Sequence, residues 1–290
     1  MVPGGGGGSG SSDPLDALAQ RYRVARSRVD GWIIAENLSQ VGVELADPAL
    51  KEYATRLAAR AVMRRALRLV GPIRPAQKRI LEAMEEPYQG ELDLERTFEN
   101  IACKEFPDRK DWVMARREDR HQQIVLMLDA SLSMSGQNLA LAAVAVAVLT
   151  LKLRPGDVAV VAFESTARTI CRLQEKRSPL AVVEGVLSQS ARGFTNLEQA
   201  LEQGHRELSR ARSARRAALL ITDGVYTVGD DPTPIAARFP RLHVLLTEDC
   251  KTNEELCFRM AQAGQGDVHR VRRFEDLPAC MLNILNRILD

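Results

Sequence analysis

From residue 123 onward, short apolar runs alternate with longer segments of helical periodicity, and this alternation constrains the fold more than any other feature. Strand-like runs fall at 124–128, 157–163, 217–222 and 242–246, with shorter ones at 169–172 and 267–270. Helical segments lie between and after them at 138–153, 179–187, 197–211, 235–238, 253–263 and 277–289. A strand apolar at nearly every position is buried on both faces, and a helix between successive strands lets them run parallel. The pattern predicts an α/β fold, a parallel central sheet with helices on both faces.

The residues before this alternation read differently. Residues 1–12 are rich in Gly and Ser and suit a flexible tail; they lack the basic and apolar regions of a secretory signal. Asp13 as N-cap and Pro14 at the first helical position open a basic helix at 14–28. Asp47 and Pro48 repeat that signature, and apolar spacing through Leu50, Tyr53, Ala54, Leu57, Ala61 and Leu67 predicts a helix to Leu69, stopped by Gly71 and Pro72. Arg56, Arg60, Arg64, Arg65 and Arg68 on that helix suit a solvated face, or a basic one for an acidic partner. Residues 75–86 are expected to form a short helix, and residues 88–100 a turn leading into another. The charge-dense stretch 104–121, with a short strand at Trp112 and Val113, reads as the entry to the next domain. The expected division is a tail at 1–12, a helical N-terminal region at 13–110 and the α/β domain at 111–290.

Charge narrows the partners. Forty basic against 38 acidic residues leave a net charge of +2, so neither nucleic acid nor a membrane surface is favoured by bulk electrostatics. The longest apolar run, 139–151, is too short for the roughly 20 residues of a bilayer span. Five cysteines, an odd number without Cys-x-x-Cys spacing, argue against a disulfide framework or structural zinc and fit a reducing cytoplasm. Cys250 and Cys257 read as ordinary thiols more readily than as a redox pair.

The chemistry lies where strands end. Directly after the run 124–128 come Asp129, Ser131 and Ser133 at alternate positions, followed by Gly136. Ligand sites of open α/β sheets sit beyond the carboxyl ends of strands, and a hard divalent cation prefers such oxygen donors. A later strand, 217–222, ends at Asp223 and Gly224, and Thr195 follows Gly193 just before a helix. Three loops thus offer oxygens to one sheet edge. Two carboxylates balance one divalent ion, while hydroxyls and water fill the remaining positions and can leave one open. Each residue also has an ordinary use alone: Asp129 as an N-cap, Thr195 as a cap, Asp223 and Gly224 as a turn. Their order and strand context favour the metal reading.

This constellation resembles the metal-ion-dependent adhesion site of von Willebrand factor A domains, over residues 123–290. Asp129, Ser131, Ser133, Thr195 and Asp223 match the family's Asp-x-Ser-x-Ser, Thr and Asp-Gly elements without departure. The resemblance implies a mostly parallel, Rossmann-like sheet with one antiparallel edge strand, and coordination of Mg²⁺ or Mn²⁺ completed by a partner's carboxylate. Upstream, Gly90-Glu-Leu-Asp-Leu-Glu-Arg-Thr97 resembles the lead-in of prokaryotic CoxE-like proteins encoded beside MoxR-type AAA+ ATPases. That second resemblance implies a cytoplasmic adaptor working with such an ATPase to remodel or mature a target protein.

Catalysis finds less support. A haloacid dehalogenase-like phosphatase needs a second acid two residues after the first, where this chain has Ser131. None of the four histidines, His121, His205, His243 and His269, shares a motif with Ser131 or Ser133, and His205 and His243 read as structural. No Gly-x4-Gly-Lys-Ser/Thr phosphate loop is present, so a partner would supply ATP hydrolysis. The alternative to a metal-dependent, non-catalytic adaptor is a metal-dependent hydrolase or phosphatase built on the same oxygens.

Overall fold

The computed structural model describes residues 17–19, 30–41, 47–71, 77–84, 90–102, 104–119, 122–131, 136–189, 193–247 and 252–289. In chain order these residues form α1 (Gly31–Val41), α2 (Pro48–Val70), β1 (Gln77–Ala83), β2 (Glu91–Leu92), α3 (Leu94–Ile101), β3 (Val113–Asp119), β4 (Gln123–Asp129) and α4 (Gln137–Lys152). There follow β5 (Val158–Phe163), β6 (Ala167–Cys171), α5 (Pro179–Leu187), α6 (Leu197–Leu208), β7 (Arg216–Thr222) and α7 (Thr233–Ala236). The chain continues through β8 (Leu242–Thr247), α8 (Glu254–Ala263), β9 (Val268–Val271) and α9 (Leu277–Leu289).

Six strands make the central sheet in the order β6-β5-β4-β7-β8-β9. All neighbours are parallel except the edge strand β6, which runs antiparallel to β5. Side-chain alternation splits the core in two. On β4, Ile124, Leu126 and Leu128 face the layer of α1, α2, α4, α5 and α9, while Val125 and Met127 face α6, α7 and α8. Helix α4 is buried at every position from Leu139 to Thr150, because the sheet covers one side and the helices α1, α2, α5 and α9 cover others. A helix apolar on all faces requires such double cover. On the opposite layer, Gly204 of α6 permits close approach to β4: a Cβ there would lie 2.2 Å from the Met127 sulfur.

Helix α2 starts and stops as its caps dictate. The Asp47 carboxylate accepts the Ala49 N–H at 2.9 Å, Pro48 occupies the first turn, and Gly71, at φ 63°, closes the other end. Its arginines are exposed; Arg56 pairs with Glu52, and the Arg65 guanidinium stacks 4.2 Å from the Trp32 ring centre. The preceding basic helix expected at 14–28 falls largely outside the described residues, of which 17–19 are helical, and the tail at 1–12 lies outside them entirely.

One expectation for the N-terminal region is corrected. The helix expected at 75–86 is not formed by the described residues of that stretch: Gln77–Ala83 is strand β1, paired antiparallel with β3 in a small sheet of order β1-β3-β2. Six of its seven residues (Gln, Lys, Arg, Leu, Glu, Ala) favour helix against the single β-branched Ile80, but so short a run gives too little of that preference to outweigh the ladder that β3 offers. The expected short strand at 112–113 is the start of the seven-residue β3, and the expected short helix downstream of 88 is α3. Among the described residues, no helix is long and apolar enough to cross a membrane.

Candidate metal centre

The carboxyl ends of β4, β5 and β7 lie side by side, because Leu128 pairs with Ile221 and Asp129 with Phe163. The register sets Asp129 beside Thr222. The Thr222 hydroxyl donates to Asp129 Oδ2 at 3.2 Å and itself accepts the Gly224 N–H at 3.1 Å. The other oxygen, Oδ1, accepts the Ser131 N–H at 2.9 Å, which turns the chain out of the strand. Asp129 therefore serves as no N-cap: Gly136, at φ 68°, starts α4 without any side-chain cap. Ser131 is buried beside Asp129, and Ser133 lies outside the described residues.

Asp223 follows β7 directly. Its Oδ1 accepts the Val225 N–H at 2.9 Å, and its carbonyl accepts the Asn253 N–H at 3.0 Å. Gly224, at φ 78°, is required here twice over: the backbone conformation is left-handed, and a Cβ would meet the Asn253 carbonyl at 2.5 Å and Cys257 Sγ at 2.6 Å. Cys257 is buried under this turn, and burial, with Asp223 nearby, pushes its thiol up to about 12. That value describes an inert core thiol. Cys250 lies outside the described residues.

Thr195 enters on the loop before α6. It is buried, and it is tied to the turn after β7: its N–H donates to Thr227 Oγ1 at 2.9 Å, and its carbonyl accepts the Thr227 N–H at 2.9 Å and the Val228 N–H at 3.3 Å. The helix cap is its neighbour Asn196, whose side chain accepts the Gln199 N–H at 3.0 Å. The capping role open to Thr195 in the sequence is thus taken by Asn196. The Asn196 N–H donates to the Glu164 carbonyl at 2.8 Å, so the loops after β5 and β7 and the loop before α6 are laced together. Two parts of this lacing, Thr222 and Thr227, were not legible in the sequence, because each acts across the sheet edge rather than at a local spacing. Glu164 was missed too. It follows Phe163 at the same edge, and its Oε2 is shielded without a hydrogen-bond partner.

The electrostatics identify what the cluster lacks. Asp129 is 2% exposed, and burial raises its carboxyl from 3.8 to about 6. Hydrogen bonds from Ser131 and Thr222 pull it down, while the Asp223 charge raises it further. Among the described residues, no cationic side chain contributes. Two acids and buried hydroxyls with no basic counter-charge acting on Asp129 fit a hard divalent cation, which would supply the missing positive charge. At the rim, Phe194 next to Thr195 and Val228 next to Thr227 are exposed apolar groups.

A family model described as VWA domain containing CoxE-like protein matches residues 53–244, well over half of the chain. The chain belongs to this family. The CoxE-like match begins within α2 and ends within β8, so it takes in part of the N-terminal region as well as Asp129, Thr195 and Asp223. Comparison with curated proteins finds no match. Among solved structures, this CoxE-like chain is similar to a conserved hypothetical protein, BatB, from Bacteroides thetaiotaomicron, at 18% identity and TM-score 0.47, over 58% of this chain and 98% of that one. It is similar to a von Willebrand factor type A protein from Catenulispora acidiphila, at 21% identity and TM-score 0.49, over 61% and 45% of the two chains. A third is proximal thread matrix protein 1 of the mussel byssus, in a structure with a zinc-occupied MIDAS motif, at 16% identity and TM-score 0.50, over 59% and 48%. The chain spans about half the length of the last two. At these identities the likeness concerns the fold, a mostly parallel sheet between helical layers.

Proposed function

We propose that this CoxE-like protein is a divalent-metal-dependent adaptor that binds another protein through one Mg²⁺ or Mn²⁺ held by Asp129, Ser131, Ser133, Thr195 and Asp223. The observation that carries this reading is the buried Asp129 carboxyl, pushed up to about 6 beside a second acid, with no cationic side chain among the described residues acting on it. A bound cation would supply Lewis acidity and one coordination position for an acidic side chain of the partner. The chain's own residues do the rest. Ser131 N–H and the Thr222 hydroxyl orient Asp129, Thr227 holds the Thr195 loop, and exposed Phe194 and Val228 flank the position with apolar surface for a partner.

The partner we infer is a MoxR-type AAA+ ATPase in the cytoplasm, with residues 111–290 as the metal-binding domain and residues 13–110 preceding it. The chain itself acts without catalysis. Support comes from the CoxE-like membership and from the missing phosphate loop. Co-purification with a MoxR-type AAA+ ATPase from the same organism tests this reading. Capture should require Mg²⁺ or Mn²⁺ and fall at least tenfold in Asp129→Ala or Asp223→Ala with the fold intact by circular dichroism. Capture unchanged in those variants would contradict a metal-bridged contact. Mg²⁺-dependent turnover of simple phosphoesters, lost in Asp129→Ala, would favour the hydrolase instead.

A further inference from the structure

At the opposite end of the sheet from Asp129, two histidines and an aspartate converge. His243 is the second residue of β8, and His269 the second of β9. These strands are parallel with Leu245 opposite His269, so His243 and His269 project from the same face at the strands' amino ends. Their ring centres are 5.6 Å apart. Asp267, just before β9, completes the group: its carboxylate lies 3.6 Å from His243 Nδ1, and one ligand atom from each of the three residues falls within 4.8 Å of the others.

Ordinary core histidines satisfy both ring nitrogens, and these do not. His243 Nδ1 accepts the Asp267 N–H at 3.2 Å, yet His243 Nε2 and His269 Nε2 are both buried without a hydrogen-bond partner. The His243 side chain is only 8% exposed, in a strand that is otherwise apolar apart from its terminal Thr247, so leaving it unsatisfied costs about 1–3 kcal/mol. Burial lowers both imidazole pKa values; His269 and Arg241 add to this at His243 and Arg287 at His269, while Asp267 opposes it at each. These shifts favour the neutral ring, the form in which imidazole binds a metal.

We propose that His243, Asp267 and His269 form a second metal site, for Zn²⁺ or a similar borderline transition-metal ion, with one nitrogen from each ring and one carboxylate oxygen as ligands. The donor set selects the ion. A single carboxylate in a cluster where Arg241 acts on His243 and Arg287 on His269 offers no surplus of negative charge for Mg²⁺ or Ca²⁺, whereas two imidazoles suit zinc. Zinc with bonds of about 2.1 Å needs its ligand atoms about 3.4 Å apart. The Asp267 carboxylate already lies 3.6 Å from His243 Nδ1, and its side chain is 76% exposed, so side-chain rotation can close the rest of a spread that is within 4.8 Å for all three atoms. Solvent on that side supplies the fourth ligand.

Zinc titration against a chromophoric chelator, in excess Mg²⁺ to occupy the Asp129 cluster, tests the site on the whole chain. Asp129→Ala should still take one Zn²⁺ per chain. Adding His269→Gln should weaken that binding at least tenfold, and adding Asp267→Asn several-fold. If Asp129→Ala fails to fold, His269→Gln alone should lower the zinc stoichiometry of the wild-type chain by one. Zinc binding indifferent to His269→Gln, or no zinc bound by a folded Asp129→Ala, would overturn the proposal.

Discussion

Asp129 pays for its position in the metal-free protein. Its folded carboxyl, raised from 3.8 to about 6, holds a proton more tightly than in the unfolded chain, so its contribution to stability is fully present below about pH 4. That contribution is lost as pH rises through 6, and above this the buried charge costs about 3 kcal/mol. Asp129→Asn removes the charge but disturbs the hydrogen bonds from Ser131 and Thr222. At pH 7 without metal it is expected to stabilise the fold by about 1–2 kcal/mol, read by urea denaturation. Added Mg²⁺ should raise the melting temperature of the wild type and leave the variant unmoved. At Gly224, the left-handed backbone and the crowding by the Asn253 carbonyl leave no room for a side chain. Gly224→Ala is therefore expected to cost about 2 kcal/mol or more in the same measurement. The proposed ligand residues stood out in the sequence because Asp-x-Ser-x-Ser and Asp-Gly are local spacings at strand ends. Thr222 and Thr227 were not, since their roles exist only once β4, β7 and the loop before α6 lie side by side.

The six strands and the helices of the sheet domain were legible because each is long or apolar enough for its period to declare itself. Strand β1 was not, because its pairing with β3 is non-local and its residues favour helix. Helix α1, which contains the buried Ile34, Ala35 and Leu38, was missed although Asp30 caps it by accepting the Trp32 N–H at 3.4 Å, because Gly31 in its first turn weakens the helical preference. Helix α6 shows how closely elements fit. Gly204→Ala would drive a methyl against the Met127 side chain. The thioether can give way in part, so the expected cost is about 1–3 kcal/mol, with weaker Mg²⁺ binding if α6 shifts and carries the Thr195 loop with it. Thermal melts with and without Mg²⁺ separate the two effects.

Across the whole molecule, the N-terminal helices and the sheet domain share one core. Ala54, Ala58, Val62 and Ala66 of α2 lie in the same cluster as α4 and the faces of β4 and β7. Helix α1 also reaches the start of α4, where a Cβ on Gly136 would lie 3.4 Å from the Glu36 carbonyl. The sequence showed that α4 is apolar all round, but not that α1 and α2 cover it. A chain starting at residue 111 should therefore expose the outer face of α4, bind a hydrophobic dye and melt without a cooperative transition; a sharp melt would show that the sheet domain stands alone. The central claim is that the Asp129 cluster holds a divalent cation, and calorimetric titration with Mg²⁺ addresses it most directly, since the histidine cluster does not favour that ion. One Mg²⁺ per wild-type chain and none in a folded Asp223→Ala is the expected result; equal Mg²⁺ binding by both would contradict it.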